Sequence, residues 1–385
     1  MIASSTVRRI ADVGGEGVPV VSMYVNIPPN REESDGVHPR THDLLAQVRP
    51  MTEDGSVPRA ARLSLREDVS RLHAEALRGE WRPPAVAVFA CRAKDFLEVV
   101  QLPRGTRDRI IVDDDAWIRP LVAILDEDHP TCIAIVDRKS ARIWELRQDQ
   151  LVEKQTIEDR ALRKPNYAGW YGLREHTVAH KAEELARRHY LHVGRVLEQL
   201  LDSDGYELVV VGGHDEDVPQ FVEFLPRAVR VRVAGTFGID PATATRGDLR
   251  KQVQAIIEHY EREEEQRRVA DVLERAAAGR PAAVGVRDCL WAASFAAVQE
   301  LVVQDDVLVP GVVCATCGWL GESGATCPVD GTPTRETPDV LDELVETVLD
   351  DSGAVEHVQS DTPIRTHLAA AALRFAVPPA PELVP

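Results

Sequence analysis

The sequence predicts a three-domain chain, α+β in its first domain and α/β in the other two, and three observations carry that expectation. The chain has 385 residues, 44% of them hydrophobic, which suits two or three domains of roughly 100 to 200 residues with a core in each. Strand-length apolar runs alternate with helical periodicities through the middle of the chain, the order of an α/β unit. Toward the C-terminus a helix feeding a strand occurs twice, once on either side of a cysteine cluster.

The first domain, residues 1–127, opens with a strand-like PVVSMYVNIPP (Pro19–Pro29) and a polar stretch bearing Pro and Asp. An amphipathic helix is expected over Arg59–Arg78, with Leu65, Val69, Leu72 and Leu77 on its buried face. AVAVFAC (Ala85–Cys91) and FLEVVQL (Phe96–Leu102) read as strands, because β-branched residues favour that state in short runs. The second domain, 128–265, begins with CIAIVDRKSARIWEL (Cys132–Leu146), two apolar runs about a polar turn at Asp137–Ser140, which is a hairpin signal. A polar connection leads to a helix over Glu175–Leu201. There Val178, Ala182, Leu185, His189, Val193, Val196 and Leu200 recur at spacings of 3 and 4 and mark an apolar face. ELVVVGG (Glu207–Gly213) and AVRVRVAGTF (Ala228–Phe237) follow as strands, and a long helix over Gly247–Ala278 stops at Gly279, with Pro281 beyond. The third domain, 266–385, reads as a helix feeding a strand over Val284–Val303, the cysteine cluster, the same pattern over Asp339–Val358, and then THLAAAALRF (Thr366–Phe375). It is an α/β sandwich of roughly 115 residues with a Pro-rich tail.

The charge is unevenly distributed. With 45 Lys+Arg against 63 Asp+Glu the formal net charge is −18, which argues against broad nonspecific coating of nucleic acid and leaves DNA out as a partner. From Arg267 onward 8 Arg and no Lys face 18 acids, a balance of −10. The window Arg163–Arg195 instead holds Arg163, Lys164, Arg174, Lys181, Arg187, Arg188 and Arg195 against Glu175, Glu183 and Glu184, a local +4. If a phosphate backbone is contacted anywhere, this window contacts it; the alternative is a solvated basic helix face. No apolar run approaches the roughly 20 residues of a membrane span, and the opening residues carry no secretory pattern, so a soluble cytoplasmic protein without a membrane partner is expected.

Two motifs stand out. The cysteines read C-A-T-C-G over Cys314–Gly318 and C-P-V-D-G over Cys327–Gly331, the paired knuckles of a zinc ribbon, except that Asp330 stands where a fourth Cys is usual. Cys314, Cys317, Cys327 and Asp330 are therefore a candidate structural zinc site, the other reading being a loop that has lost its ion. The second motif is NYAGWYGLREH, Asn166–His176, ahead of the basic helix. Gly169 and Gly172 flank Trp170 and Tyr171, a loop that can offer backbone amides and stacking surfaces to RNA or tuck its aromatics into the core. VGGHDE (Val211–Glu216) is either a polar site or a Gly-rich exit from a buried strand. Phosphate-loop, hydrolase-elbow and zinc-protease signatures are absent from the sequence.

Taken in order, these pieces resemble the archaeo-eukaryotic class-1 release factor and Pelota superfamily, in its bacterial branch of Balon-like ribosome-associated factors. VDRKSARIWEL, the Gly-Trp loop with its basic helix, and LVVVGG resemble that family's central RNase H-like domain. VGVRDCLWAASFAAVQELVV, the knuckles, DVLDELVETVL and HLAAAALRF resemble its L7Ae-like third domain, here with a zinc-ribbon-like insertion. In the release factors a Gly-Gly-Gln loop positions water against the peptidyl-tRNA ester, and related bacterial members carry a Gly-Trp-Ser-Gln version. Gly169, Trp170 and Arg174 agree with the latter, whereas Tyr171 takes the Ser position and Gly172 the Gln position. No catalytic residue is carried over, and no Asn-Ile-Lys-Ser codon-reading motif occurs in the first domain. The resemblance implies a factor in the tRNA-like A-site position of the ribosome, contacting rRNA of the decoding and peptidyl transferase centres. Hibernation, protection or rescue of idle or stalled ribosomes is its implied task, without stop-codon reading. An elongation-type GTPase or a stalk protein is the implied partner of the acidic third domain. The alternative is a peptidyl-tRNA hydrolase.

Overall fold

A computed structural model of the chain describes residues 2–14, 17–29, 37–78, 80–126, 128–148, 150–159 and 173–380. The chain divides into two units: residues 1–127 and 265–385 make one, the composite unit, and residues 128–264 make the other, the central unit.

In the composite unit the chain begins with helix α1 (Ser4–Ala11) and strand β1 (Val20–Asn26), followed by α2 (Val37–Glu53), α3 (Arg59–Arg78), β2 (Ala85–Cys91), β3 (Phe96–Leu102), β4 (Arg109–Asp113) and α4 (Arg119–Asp126). The strands form an antiparallel sheet in the order β3-β2-β1-β4. β1 and β2 run through its middle, which is why their apolar runs are buried on both faces. One face packs on α1 and α4 through Ile10, Leu121 and Ile124; the other packs on α2 and α3 through Leu44, Leu45, Leu65 and Leu72.

The sequence pattern concealed α2, which lies in the stretch read as polar. Pro39 sits in its first turn, where no amide is needed, and Pro50 in its last. Its buried residues Val37, Thr41, Leu44, Leu45 and Val48 nevertheless keep helical spacing. α3 spans the expected residues, with a corrected face: Leu65 and Leu72 are buried, Val69 is half-buried, and Leu77 is 61% exposed. The buried stripe turns instead through Ser64, Asp68, Glu75 and Ala76.

The central unit runs β5 (Thr131–Val136), β6 (Ser140–Arg147), β7 (Gln150–Glu158), α5 (Leu173–Asp204), β8 (Leu208–Gly213), α6 (Asp217–Phe224), α7 (Arg227–Arg230) and β9 (Val233–Gly238). It closes with the first part of α8 (Arg246–Ala277), whose remainder belongs to the composite unit. The sheet order is β7-β6-β5-β8-β9, antiparallel through β7, β6 and β5 and parallel through β5, β8 and β9. The hairpin, the long helix and the LVVVGG strand fall where the sequence put them. The strand expected over Ala228–Phe237 begins only at Val233, because Pro226 caps the helical turn α7 and its carbonyl accepts from the Val229 and Arg230 amides. α5, α6 and α7 cover one face of the sheet, and Leu249 and Val253 of α8 cover the other.

The composite unit resumes with β10 (Ala282–Val284), α9 (Val286–Ala293), β11 (Val298–Gln304), β12 (Gly311–Val313), β13 (Leu320–Gly321), β14 (Arg335–Thr337), α10 (Val340–Asp350), β15 (Ala354–Val358) and β16 (Ala369–Leu373). One sheet has the order β10-β16-β11-β15, and β12, β13 and β14 form a small second sheet around the knuckles. α9 and α10 cover one face of the larger sheet, and Val269 and Val272 of α8 cover the other. α4 joins the first and third segments of this unit. It sends Leu121 toward the first sheet and Val122 toward the core beneath α10.

At its start, Arg119 is wholly buried and pairs with Asp339 at 2.9 Å. The Arg119 guanidinium also donates to the carbonyls of Gln304 and Val307, and its amide donates to Asp342 at 2.8 Å. The Trp117 indole donates to Asp339 at 3.0 Å. Nearby, Arg335 meets Asp113, Asp114, Asp115 and Glu343. Among the described residues no helix is long and apolar enough to cross a membrane.

Candidate functional site

Helix α5 carries the described part of the basic window. Lys181, Arg188 and Arg195 are seven residues apart, which returns each to within about 20° of the last, and all three are exposed on one stripe. His192, between the last two, lies on the same stripe and is half exposed. Arg188 pairs with Glu184 one turn back, and Arg195 caps the Leu191 carbonyl at 3.2 Å. Arg187, grouped with them from sequence, lies elsewhere: its guanidinium sits 5.8 Å over the Phe224 ring. Arg163, Lys164, Gly169, Trp170, Tyr171 and Gly172 lie outside the described residues. Arg174 falls in the first turn of α5.

The opposite face of α5 is packed one position later than the expected stripe. Ala186, Tyr190, Val193, Leu197 and Leu201 are buried, while Ala182, Leu185, Val196 and Leu200 are half-buried flanks. His189 is buried, but as a polar anchor. Its Nδ1 lies 2.7 Å from Asp159 Oδ2, and His192 Nδ1 lies 3.1 Å from the same oxygen. Burial alone would raise the Asp159 carboxyl; the two histidines hold it below the usual range. Asp159 immediately follows β7, so this clamp ties the end of that strand to α5. The sequence offered one signal for it, a histidine in an otherwise apolar stripe.

VGGHDE is a packing feature. A Cβ on Gly213 would come within 2.3 Å of the Val136 carbonyl oxygen, and one on Gly212 within 2.6 Å of the Phe237 ring, so β8 needs glycine to lie between its neighbours.

The knuckles form the second candidate site. Gly318 donates to the Cys314 carbonyl and Gly331 to the Cys327 carbonyl, both at 2.9 Å, and both glycines have positive φ, 73° and 75°. The amides of Cys314 and Cys327 donate to the carbonyls of Trp319 and Thr332, both at 2.8 Å. The two turns are therefore the same turn twice, and Asp330 occupies the place that Cys317 occupies in the first. The ligating atoms of Cys314, Cys317, Cys327 and Asp330 lie within 4.8 Å of one another. Cys317 and Cys327 Sγ are 3.5 Å apart and Cys314 Sγ is 3.4 Å from Asp330 Oδ2, near the roughly 3.8 Å edge of a zinc tetrahedron with 2.3 Å bonds. Thr332, which sequence reading passed over, hydrogen-bonds Cys314 Sγ at 3.2 Å and donates to Asp330 at 2.7 Å. These bonds lower the Cys314 thiol to about 7 and hold the Asp330 carboxyl well below its usual range. Such a donor set could hold a metal ion and fits zinc, with Thr332 orienting two ligands.

Comparison with known proteins gives three findings. Residues 117–258 match the profile of the family described as bacterial archaeo-eukaryotic release factor family 10. A stretch of 123 residues, 31% of the chain, is 30% identical to a protein pelota homolog of Methanopyrus kandleri; the stretch spans 35% of that relative's length. Among solved structures, an archaeal translation termination factor, aRF1, aligns over 97% of this chain and 99% of its own at 17% identity, with a TM-score of 0.26. Archaeoglobus fulgidus Pelota aligns over 76% and 80% at 17% identity with a TM-score of 0.36, and Saccharomyces cerevisiae Dom34 over 77% and 75% at 10% with 0.42.

Proposed function

From the premise that the chain belongs to the Pelota and release-factor superfamily, we propose that it is a ribosome-associated factor which occupies the tRNA-like A-site position on idle or stalled ribosomes. The family match over residues 117–258 carries this reading. The stripe Lys181, Arg188 and Arg195, set in a chain of net charge −18, supports it as a localised phosphate-binding surface. The task is hibernation, protection or rescue in the cytoplasm, with rRNA of the decoding and peptidyl transferase centres as the contact and without stop-codon reading. The acidic third segment meets a protein partner, an elongation-type GTPase or stalk protein.

The basic stripe binds and orients, and the Asp159 clamp holds the end of β7 against α5. The segment anchors by Trp170 and Tyr171 rather than aiming a water, since Gly172 stands at the glutamine position. Cys314, Cys317, Cys327 and Asp330 hold one structural zinc, which cross-links the two knuckles and rigidifies the small sheet. Cryo-electron microscopy of ribosomes purified with the protein tests the proposal: density in the A site is expected, and its absence at saturating protein contradicts it. Robust peptide release from stalled ribosomes, lost on changing Gly169 or Gly172, would favour the hydrolase reading instead.

A further inference from the structure

A cavity of about 600 Å³ lies in the composite unit between its first and third segments, away from the basic stripe and the knuckles. Its walls are the β3–β4 loop with Arg104 and Arg107, the start of β4 with Arg109, the first turns of α4, and Asp306 and Arg365 from the third segment. Four arginines face two aspartates in this lining, Asp305 being the second, a local balance of +2 in a chain of −18. No local pattern announces it, because its walls come from positions up to 339 residues apart, from Asn26 to Arg365.

Three features make this a built site. Among the described residues no carboxylate pairs with Arg109; its guanidinium lies 5.3 Å from the centre of the Trp117 ring. Burial and the neighbouring Arg119 charge weaken its hold on its proton, so an anion arriving beside it would be favoured. Arg107 and Arg365, from opposite walls, both point at Asp306 Oδ2, at 3.4 Å each. Arg107 also reaches the Asp306 carbonyl at 3.5 Å and Arg365 the Asp361 carboxylate at 3.8 Å; charge-assisted bonds close to about 2.7 to 2.9 Å, so all these contacts are long and both guanidiniums retain donors for a closer acceptor. Trp117 is a fixed wall: its indole donates to Asp339, its amide to Ser22, and its carbonyl accepts from Tyr24.

We propose that this cavity binds a free nucleotide, with the phosphates on Arg107, Arg109 and Arg365 and the base and sugar against Trp117, Pro120 and Ile124. Size and polarity choose the ligand. The volume falls in the range of small-molecule sites, about 300 to 1,000 Å³, well beyond what a lone phosphate fills. One wall is apolar and the other cationic, as a nucleoside diphosphate requires, and planar guanidiniums suit phosphate oxygens. Because the walls belong to both segments, occupancy would tie them together, and nucleotide would stabilise the composite unit.

Isothermal titration of the full chain with ADP, GDP and inorganic pyrophosphate tests this. Saturable binding of at least one nucleotide below 1 mM is expected, on the scale of a weak specific site, with pyrophosphate several-fold weaker. Arg107→Gln and Arg365→Gln change side chains 69% and 45% exposed, so folding is preserved; each should weaken binding about tenfold, the cost of one charge-assisted contact. Asp306→Asn removes the competing negative charge and should tighten binding, which a merely structural role would not produce. No saturable binding at 1 mM, equal affinity for pyrophosphate and nucleotide, or affinity indifferent to all three substitutions would overturn the proposal.

Discussion

In the composite unit Arg119 meets Asp339 at 2.9 Å with side chains 0% and 1% exposed, whereas Arg188 of the central unit leaves 69% of its side chain in solvent beside Glu184. Both are arginine–carboxylate pairs, yet they do different things. The buried pair is surrounded by obligatory partners: the indole of Trp117, the carbonyls of Gln304 and Val307, and the backbone amide of Arg119 on Asp342. It fixes how the first and third segments register, because any slip leaves charges without water or partners. The exposed pair fixes nothing of that kind and keeps its donors near solvent for another molecule. Inward charge here specifies a shape, and outward charge is available for binding.

The contrast is easiest to break at Arg119. Arg119→Ala strands the Asp339 carboxylate and should cost about 3 to 5 kcal/mol in urea unfolding; a loss below 1 kcal/mol would show that the pair does not hold the segments. Next in size is the metal. One equivalent of zinc should copurify with the chain, and chelation should lower the melting temperature of the composite unit by about 5 to 10 °C, a loss of roughly 3 kcal/mol of ligand linkage. Asp330→Ala should weaken retention while leaving Cys314, Cys317 and Cys327 reduced. Metal far below one equivalent, with no response to chelator, would return the knuckles to a metal-free loop.

A smaller effect concerns the acids around Arg335. Burial raises Asp115 to about 6, Glu343 to about 7 and Glu346 to about 9, the last with Asp115, Glu343, Asp350 and Asp113 as unfavourable neighbours. Each binds its proton more tightly folded than unfolded, so this contribution is fully present below the ordinary carboxylate range and is lost as pH rises toward 9. Glu346→Gln should therefore raise stability at pH 8 by about 1 to 2 kcal/mol and change little at pH 4, as melting curves at the two values would show. The smallest expected effect is on the outward side: Lys181, Arg188 and Arg195 changed together to Ala should alter stability by less than about 0.5 kcal/mol per residue.

What the sequence revealed followed local periodicity. Val20–Asn26, Ala85–Cys91 and Leu208–Gly213 are central strands, so their apolar runs announced them. The basic window that reaches into α5 was legible as a local charge excess, but which of its residues share one stripe was not. Gln150–Glu158 was not, because β7 is an edge strand whose outward positions are polar and whose Val152 is 45% exposed. That Arg187 lies over Phe224 rather than on the stripe was not legible either, because that ring belongs to another helix. The Arg119 lock and the arginine cavity had no local signature, their partners lying some 200 residues along the chain. The knuckles fell between these cases: ligand spacing gave the cluster, but only the repeated hydrogen bonds reveal that Asp330 stands in a cysteine's place.

The central claim, that the outward charge of α5 is a ribosome-binding surface, is tested most directly by co-sedimentation of the full chain with purified ribosomes across 50 to 200 mM salt. Affinity should fall steeply over this range, by roughly thirtyfold for about three phosphate contacts taken at a slope near −0.8 each. The Lys181→Ala, Arg188→Ala, Arg195→Ala variant should keep its melting temperature, bind far more weakly and show a flatter salt dependence. Unchanged sedimentation of that folded variant would mean the stripe is only solvated surface and would contradict the account.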